Sequence, residues 1–97
     1  MITIDKSYNR IEVKGHAGYA DYGQDIVCSA ISTLVQTLIW SIEDLTQDKI
    51  QYDVNAGYTV IAYTEPSEEA QLLIDSFFIG CEAVAEAHPE CVRVTNT

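Results

Sequence analysis

The 97-residue sequence predicts an α+β fold with the element order β-β-α-β-β-α-β, a mostly antiparallel sheet with two helices packed on it. Three observations carry this. Short segments alternate apolar and polar residues in pairs, two longer segments repeat apolar residues at helical spacing, and turn-forming residues separate them.

In the first pair, Ile2 and Ile4 alternate with Thr3 and Asp5, and Ile11 and Val13 alternate with Arg10, Glu12 and Lys14. Ser7, Tyr8 and Asn9 lie between them and read as the turn of a hairpin. A first helix is expected from about residue 26 to about residue 45, with Val27, Ile31, Leu34, Val35, Leu38, Ile42 and Leu45 on one sheet-facing side. Trp40 falls on the opposite, polar arc, where it is either covered by a loop or the other helix, or marks a subunit contact. A second strand pair, 49–54 and 58–64, joins at Asn55, Ala56 and Gly57. Pro66, Ser67, Glu68 and Glu69 then open a second helix that runs to about Ala87 and is stopped by Pro89. Leu73, Ile74, Phe77, Cys81, Val84, Ala85 and His88 share its inner face, while Phe78 and Ile79 widen the apolar surface and favour a homodimer. Residues 91–95 alternate well enough for a last strand.

This length and 47% hydrophobic content suit one domain with one core, expected to span 1–97. No charged-then-apolar leader is visible. The most apolar stretch, Ile26–Leu45, is interrupted by Ser29, Ser32, Thr33, Gln36, Thr37, Ser41, Glu43 and Asp44, so neither signal peptide nor membrane span is expected, and the chain reads as cytoplasmic. Three cysteines cannot all pair within one chain, and thiols are expected, with Cys81 and Cys91 as small core hydrophobes. Fifteen acidic against five basic residues, a net charge of −10, argue against direct nucleic-acid binding, which needs clustered Lys and Arg. A basic partner complements that charge, although acidity also serves solubility.

Residues 15–32, GHAGYADYGQDIVCSAIS, carry the chemistry. Asp25 reads as an N-cap, which places Cys28 near the third helical residue, where unpaired N–H groups favour a thiolate and offer an oxyanion hole that includes the N–H of Cys28 itself. His16 precedes it across a loop holding Gly18, Tyr19, Tyr22 and Gly23; composition alone favours an ordinary surface turn over a mobile flap that closes on a substrate, a preference that the resemblance given next reverses. Taken alone, Cys28 reads better as a small core cysteine than as a nucleophile. His16, Cys28, His88 and Cys91 are soft ligands, yet paired cysteines such as C-x-x-C are absent, so neither metal nor other cofactor is expected.

The segment resembles the signature of the ribosomal-processing cysteine protease family (Prp). The match rests on Gly15, His16, Ala17 and Gly18, then Gly23, Asp25, Ile26, Val27, Cys28 and Ser32, and length and element order agree over the whole chain. Gln24 and Ser29 depart from the pattern at positions without a catalytic role. The resemblance implies Cys28 as nucleophile, His16 as its base, and Asp25 as an orienting or capping residue. It also implies a substrate: the N-terminal extension of large-subunit ribosomal protein twenty-seven, cut after two phenylalanines and before an alanine. The rival expectation is a non-enzymatic acidic module that binds a basic ribosomal protein.

Overall fold

A computed structural model describes residues 1–15 and 22–96, with the backbone alone at 22–25. The elements are β1 (Ile2–Ser7), β2 (Arg10–Lys14), α1 (Tyr22–Leu45), β3 (Gln51–Asn55), β4 (Tyr58–Ala62), α2 (Glu68–Ala87) and β5 (Val92–Asn96), in the expected order. They form one five-stranded sheet in the order β3-β4-β2-β1-β5. Three pairings are antiparallel, and only β1 with β5 is parallel. Because β4 is antiparallel to both its neighbours, β2 and β3 run the same way, and α1 carries the chain over β4 between them. The second helix makes the longer crossover, from β4 past β2 and β1 to β5.

Register puts the apolar positions on one face. Ile4 lies opposite Val13 and Val94, and Ile11 opposite Ile61, so the alternation seen in each strand becomes one continuous apolar surface. Ile4, Ile11 and Ile61 are fully buried beneath the helices, each worth roughly 1.5–3 kcal/mol of burial. The opposite face stays polar, with Glu12 held by Arg10 and Lys14.

Both helices lie on the apolar face. Helix α1 inserts Val27, Ile31, Val35, Leu38, Ile39 and Ile42 into the core. Its stretch Ile26–Leu45 is long and apolar enough to cross a membrane (mean hydropathy 1.5), but here that apolar side is spent on the sheet. Two expectations for this helix need correction. Leu45 shares the angular position of Val27 yet is 71% exposed, because it stands in the last turn, beyond the packed layer. Ile39, left out of the expected face, is buried. On α2, Phe78 does not widen the outer surface. It is buried edge-to-face against Phe77 at 5.1 Å, with the Lys6 ammonium 5.3 Å from its ring centre. The helices meet where Gly80 admits Leu34, since a Cβ there would lie 2.8 Å from Leu34 Cδ2.

The start of α2 is as the sequence predicts. Ser67 is the N-cap, its hydroxyl accepting from the Ala70 N–H at 3.0 Å. The Asp48 carboxylate accepts both the Ser67 hydroxyl (2.6 Å) and its backbone N–H (2.9 Å), which ties the loop after α1 to this cap. At the other end His88 is the C-cap, its N–H bonding Val84 O, and its carbonyl accepts from Cys91 and Val92.

Ser67→Ala is expected to cost about 1 kcal/mol in urea denaturation. The Ser67 hydroxyl and then its N–H hold the Asp48 carboxyl below its ordinary value of 3.8. That contribution is therefore complete above the ordinary value and fades as pH falls through the lowered one. The stability deficit of Asp48→Asn should accordingly shrink as pH falls below about 3.8 and through the lowered value.

Candidate functional site

Cys28 lines a groove of about 400 Å³ between one edge of α1 and the β3–β4 hairpin. Ile31 and Val35 of α1, with Ile2 and Val13 of the sheet, give it apolar walls, and Ser32 and Gln36 continue the helical edge. The hairpin side presents Val54, Asn55, Ala56, Gly57, Tyr58 and Thr59. This wall is held in place on both flanks. Gly15 N–H bonds Gly57 O at 2.9 Å, and the Tyr58 hydroxyl donates to Glu12 at 2.9 Å, which with Lys14 and Arg10 keeps that carboxyl below its ordinary range.

Gly15 also lines the groove and permits no other residue. Its φ is +95°, and an added Cβ would collide with the Met1 carbonyl oxygen at 2.2 Å. The invariant need is for backbone to pass close to backbone at the end of β2, immediately before His16.

Of the three thiols, Cys28 is half-buried and Cys81 and Cys91 are buried. Cys81 is enclosed in the core, and burial followed by the nearby Glu82 charge pushes its thiol up to about 12. Such a group stays protonated and inert at neutral pH. Cys91 packs at the start of β5, near the Glu90 carboxylate.

The helix begins earlier than the sequence suggested. From Tyr22, Asp25 is the fourth residue and Cys28 the seventh, so Asp25 is not the N-cap and Cys28 belongs to the second turn. There the N–H is committed to the carbonyl four residues back, and the Cys28 N–H is removed from the expected oxyanion hole. The macrodipole, too, weakens beyond the first turn. Tyr22 and Gly23, expected in a flap, stand in the first turn of α1. His16, Gly18 and Tyr19 lie outside the described residues, as do the side chains of Tyr22 and Asp25.

The hairpin wall is the part of the site that sequence reasoning missed. The Asn55-Ala56-Gly57 turn was legible as a turn, but only the pairing of Lys14 with Tyr58 brings it beside Gly15.

A family model described as cysteine protease Prp matches residues 1–93. The chain is 30% identical to the ribosomal processing cysteine protease Prp of Staphylococcus aureus, with 97% of each chain covered. It is 28% identical to the Bacillus subtilis protein of that name, over 95% of this chain and 88% of the relative. The fold matches the crystal structure of S. aureus Prp in complex with a substrate peptide at a TM-score of 0.92, with 24% identity and complete coverage of both chains. A Streptococcus mutans protein structure matches at 0.76 with 32% identity, covering 99% of this chain and 93% of the other.

In timed alkylation with iodoacetamide read by peptide mass, Cys28 should react first, with Cys81 and Cys91 labelled only on unfolding. Equal rates for all three would show that the groove gives no access to the thiol.

Proposed function

The chain belongs to the cysteine protease Prp family and is a cysteine protease, and from that premise we propose that it removes the N-terminal extension of large-subunit ribosomal protein twenty-seven with Cys28 as nucleophile and His16 as base. The observation that carries the assignment is that Cys28 and Gly15, the covalent neighbour of His16, line the same groove, while Cys81 and Cys91 do not. Family membership favours the enzyme over a non-enzymatic acidic module.

The Cys28 thiol gives its proton to His16 and attacks the scissile carbonyl, forming the tetrahedral adduct. Collapse of the adduct expels the amine, which takes the proton back from His16, and water then hydrolyses the thioacyl intermediate. With Cys28 in the second turn, the imidazole is the main activator of the thiol. Asp25 does not cap α1, which supports the reading in which it orients His16. The apolar groove walls accommodate two aromatic rings, each worth roughly 1.5–3 kcal/mol on burial, enough to select one bond over its neighbours.

The charge suits a basic ribosomal substrate and not nucleic acid. Neither helix contains a Lys or Arg, so the layer beside the groove is purely acidic. We place the protein in the cytoplasm, away from membranes, as one protease domain over 1–97, working without a metal or other cofactor. It acts as a homodimer. Trp40 is 60% exposed, which supports the reading in which it marks a subunit contact.

Cys28→Ala and His16→Ala should each lower cleavage of a peptide spanning the extension by at least ~10³ with the fold intact, whereas Cys81→Ala and Cys91→Ala keep activity. Product masses decide it, and wild-type rates in a folded Cys28→Ala variant end the assignment. Trp40→Ala should weaken self-association by about 2 kcal/mol in sedimentation equilibrium. An unchanged dissociation constant moves the contact elsewhere.

A further inference from the structure

The groove beside Cys28 has a floor whose chemistry the catalytic step leaves unused. Register sets Val54, Thr59, Val13 and Ile4 side by side across β3, β4, β2 and β1, all on the face that the helices cover. The cover stops partway along this row. Ile4, Val13 and Thr59 are buried, whereas Val54 is 50% exposed, an inward-facing valine left half in solvent. Val13, Thr59 and Val54 all line the groove that holds the thiol, and Ile31 and Val35 line it from α1. Three adjacent strands make a shelf about 10 Å across, wide enough for a phenyl ring.

The shelf is bounded at both ends. Gly15 follows Val13 by two residues, so the shelf lies about 7 Å from the backbone that leads into His16, the span of two residues of extended chain. In the other direction Tyr52, two residues from Val54 on the same face, donates its hydroxyl to Glu43 at 3.2 Å and ties β3 to α1. The charge of the space selects its occupant. Among the described residues none that lines the groove is charged, although the chain carries a net charge of −10, so a basic side chain finds no carboxylate there and an apolar one finds a matching floor. We propose that Val54 is a specificity residue, the outer floor of a seat that takes one aromatic ring of the substrate within about two residues of the bond attacked by Cys28. The seat rests on the assignment of Cys28 as nucleophile and adds to it which residue reads the side chain. Successive side chains of an extended chain point opposite ways, so only one of two neighbouring aromatic residues occupies it.

Val54→Thr is the test variant, because it keeps the β-branching of valine and replaces one methyl by a hydroxyl. Val60→Thr makes the same change on the opposite face of the adjoining strand and serves as control. Dissociation constants are measured in the Cys28→Ala background for the extension peptide and for two versions with alanine at one or the other phenylalanine. Cleavage is measured with Cys28 present, and thermal unfolding verifies each fold. Val54→Thr should weaken binding of the parent peptide three- to tenfold and raise KM by a similar factor with kcat little changed, while Val60→Thr matches its background. At one phenylalanine only, the alanine peptide should lose affinity in the parent protein and markedly less in Val54→Thr. Unchanged affinity in Val54→Thr, an equal loss in Val60→Thr, or equal coupling to both phenylalanines overturns the seat. Should the peptide neither bind nor be cut, the substrate reading fails, and a probe independent of it decides the seat: the alkylation rate of Cys28 by N-benzyl iodoacetamide relative to iodoacetamide. That ratio should fall at least threefold in Val54→Thr, and an unchanged ratio overturns the seat. Cleavage by folded Cys28→Ala protein removes the nucleophile assignment, a result separable from the binding measurements.

Discussion

The sheet has one apolar face, and everything else in the molecule is arranged by the need to cover it. Two helices must do so, and they fall short. Five strands at about 4.8 Å span about 24 Å, whereas two packed helices cover roughly 20 Å. Gly80 tightens the helix pair further by letting Leu34 of α1 lie against α2. The uncovered width falls at β3, where Tyr52 and Val54 share the face of Ile61 and Thr59 yet are 46% and 50% exposed. The groove beside Cys28 is what remains when a narrow helical layer rests on a wider sheet.

That geometry shapes the chemistry. A thiol on the flank of α1 is near enough to the core to be half-buried and near enough to the groove to be reached. Cys81 gives the contrast, since the same functional group, drawn fully inside, is held protonated by burial. The same functional group thus meets different surroundings according to its angle around a helix or its depth in a layer. Placing Cys28 in the second turn leaves it a weaker contribution from the helix terminus.

Much of the fold was legible because it depends on local rules. Alternation at Ile2 and Ile4 or at Ile11 and Val13 needs only the period of a strand, and Ser67 and Pro89 mark the ends of α2 by hydrogen-bonding capacity and ring geometry. What was misread depends on the layer as a whole. A helical wheel assigns Leu45 the angle of Val27 without revealing that the packed surface ends before it, and it ranks Ile39 and Phe78 by angle when burial follows from neighbours on other elements. The start of α1 was misplaced because Asp25 has the chemistry of a cap but the backbone was already helical from Tyr22. The candidate thiol was visible through a local motif. The opposite wall of its groove was not, since it is built by a register between β2 and β4 that links residues far apart in the chain.

The same shortfall of helical cover leaves β3 as an edge. Among the described residues it pairs only with β4, and all five of its residues are exposed. A strand in this position offers another copy a row of backbone donors and acceptors, and Tyr52 and Val54 add an apolar incentive to stack. Asp53 stands in the middle of the strand, and each molecule carries a net charge of −10, so any edge-to-edge approach brings like charges together. The acidity therefore also has a colloidal role: it keeps an unfinished sheet from growing into an aggregate.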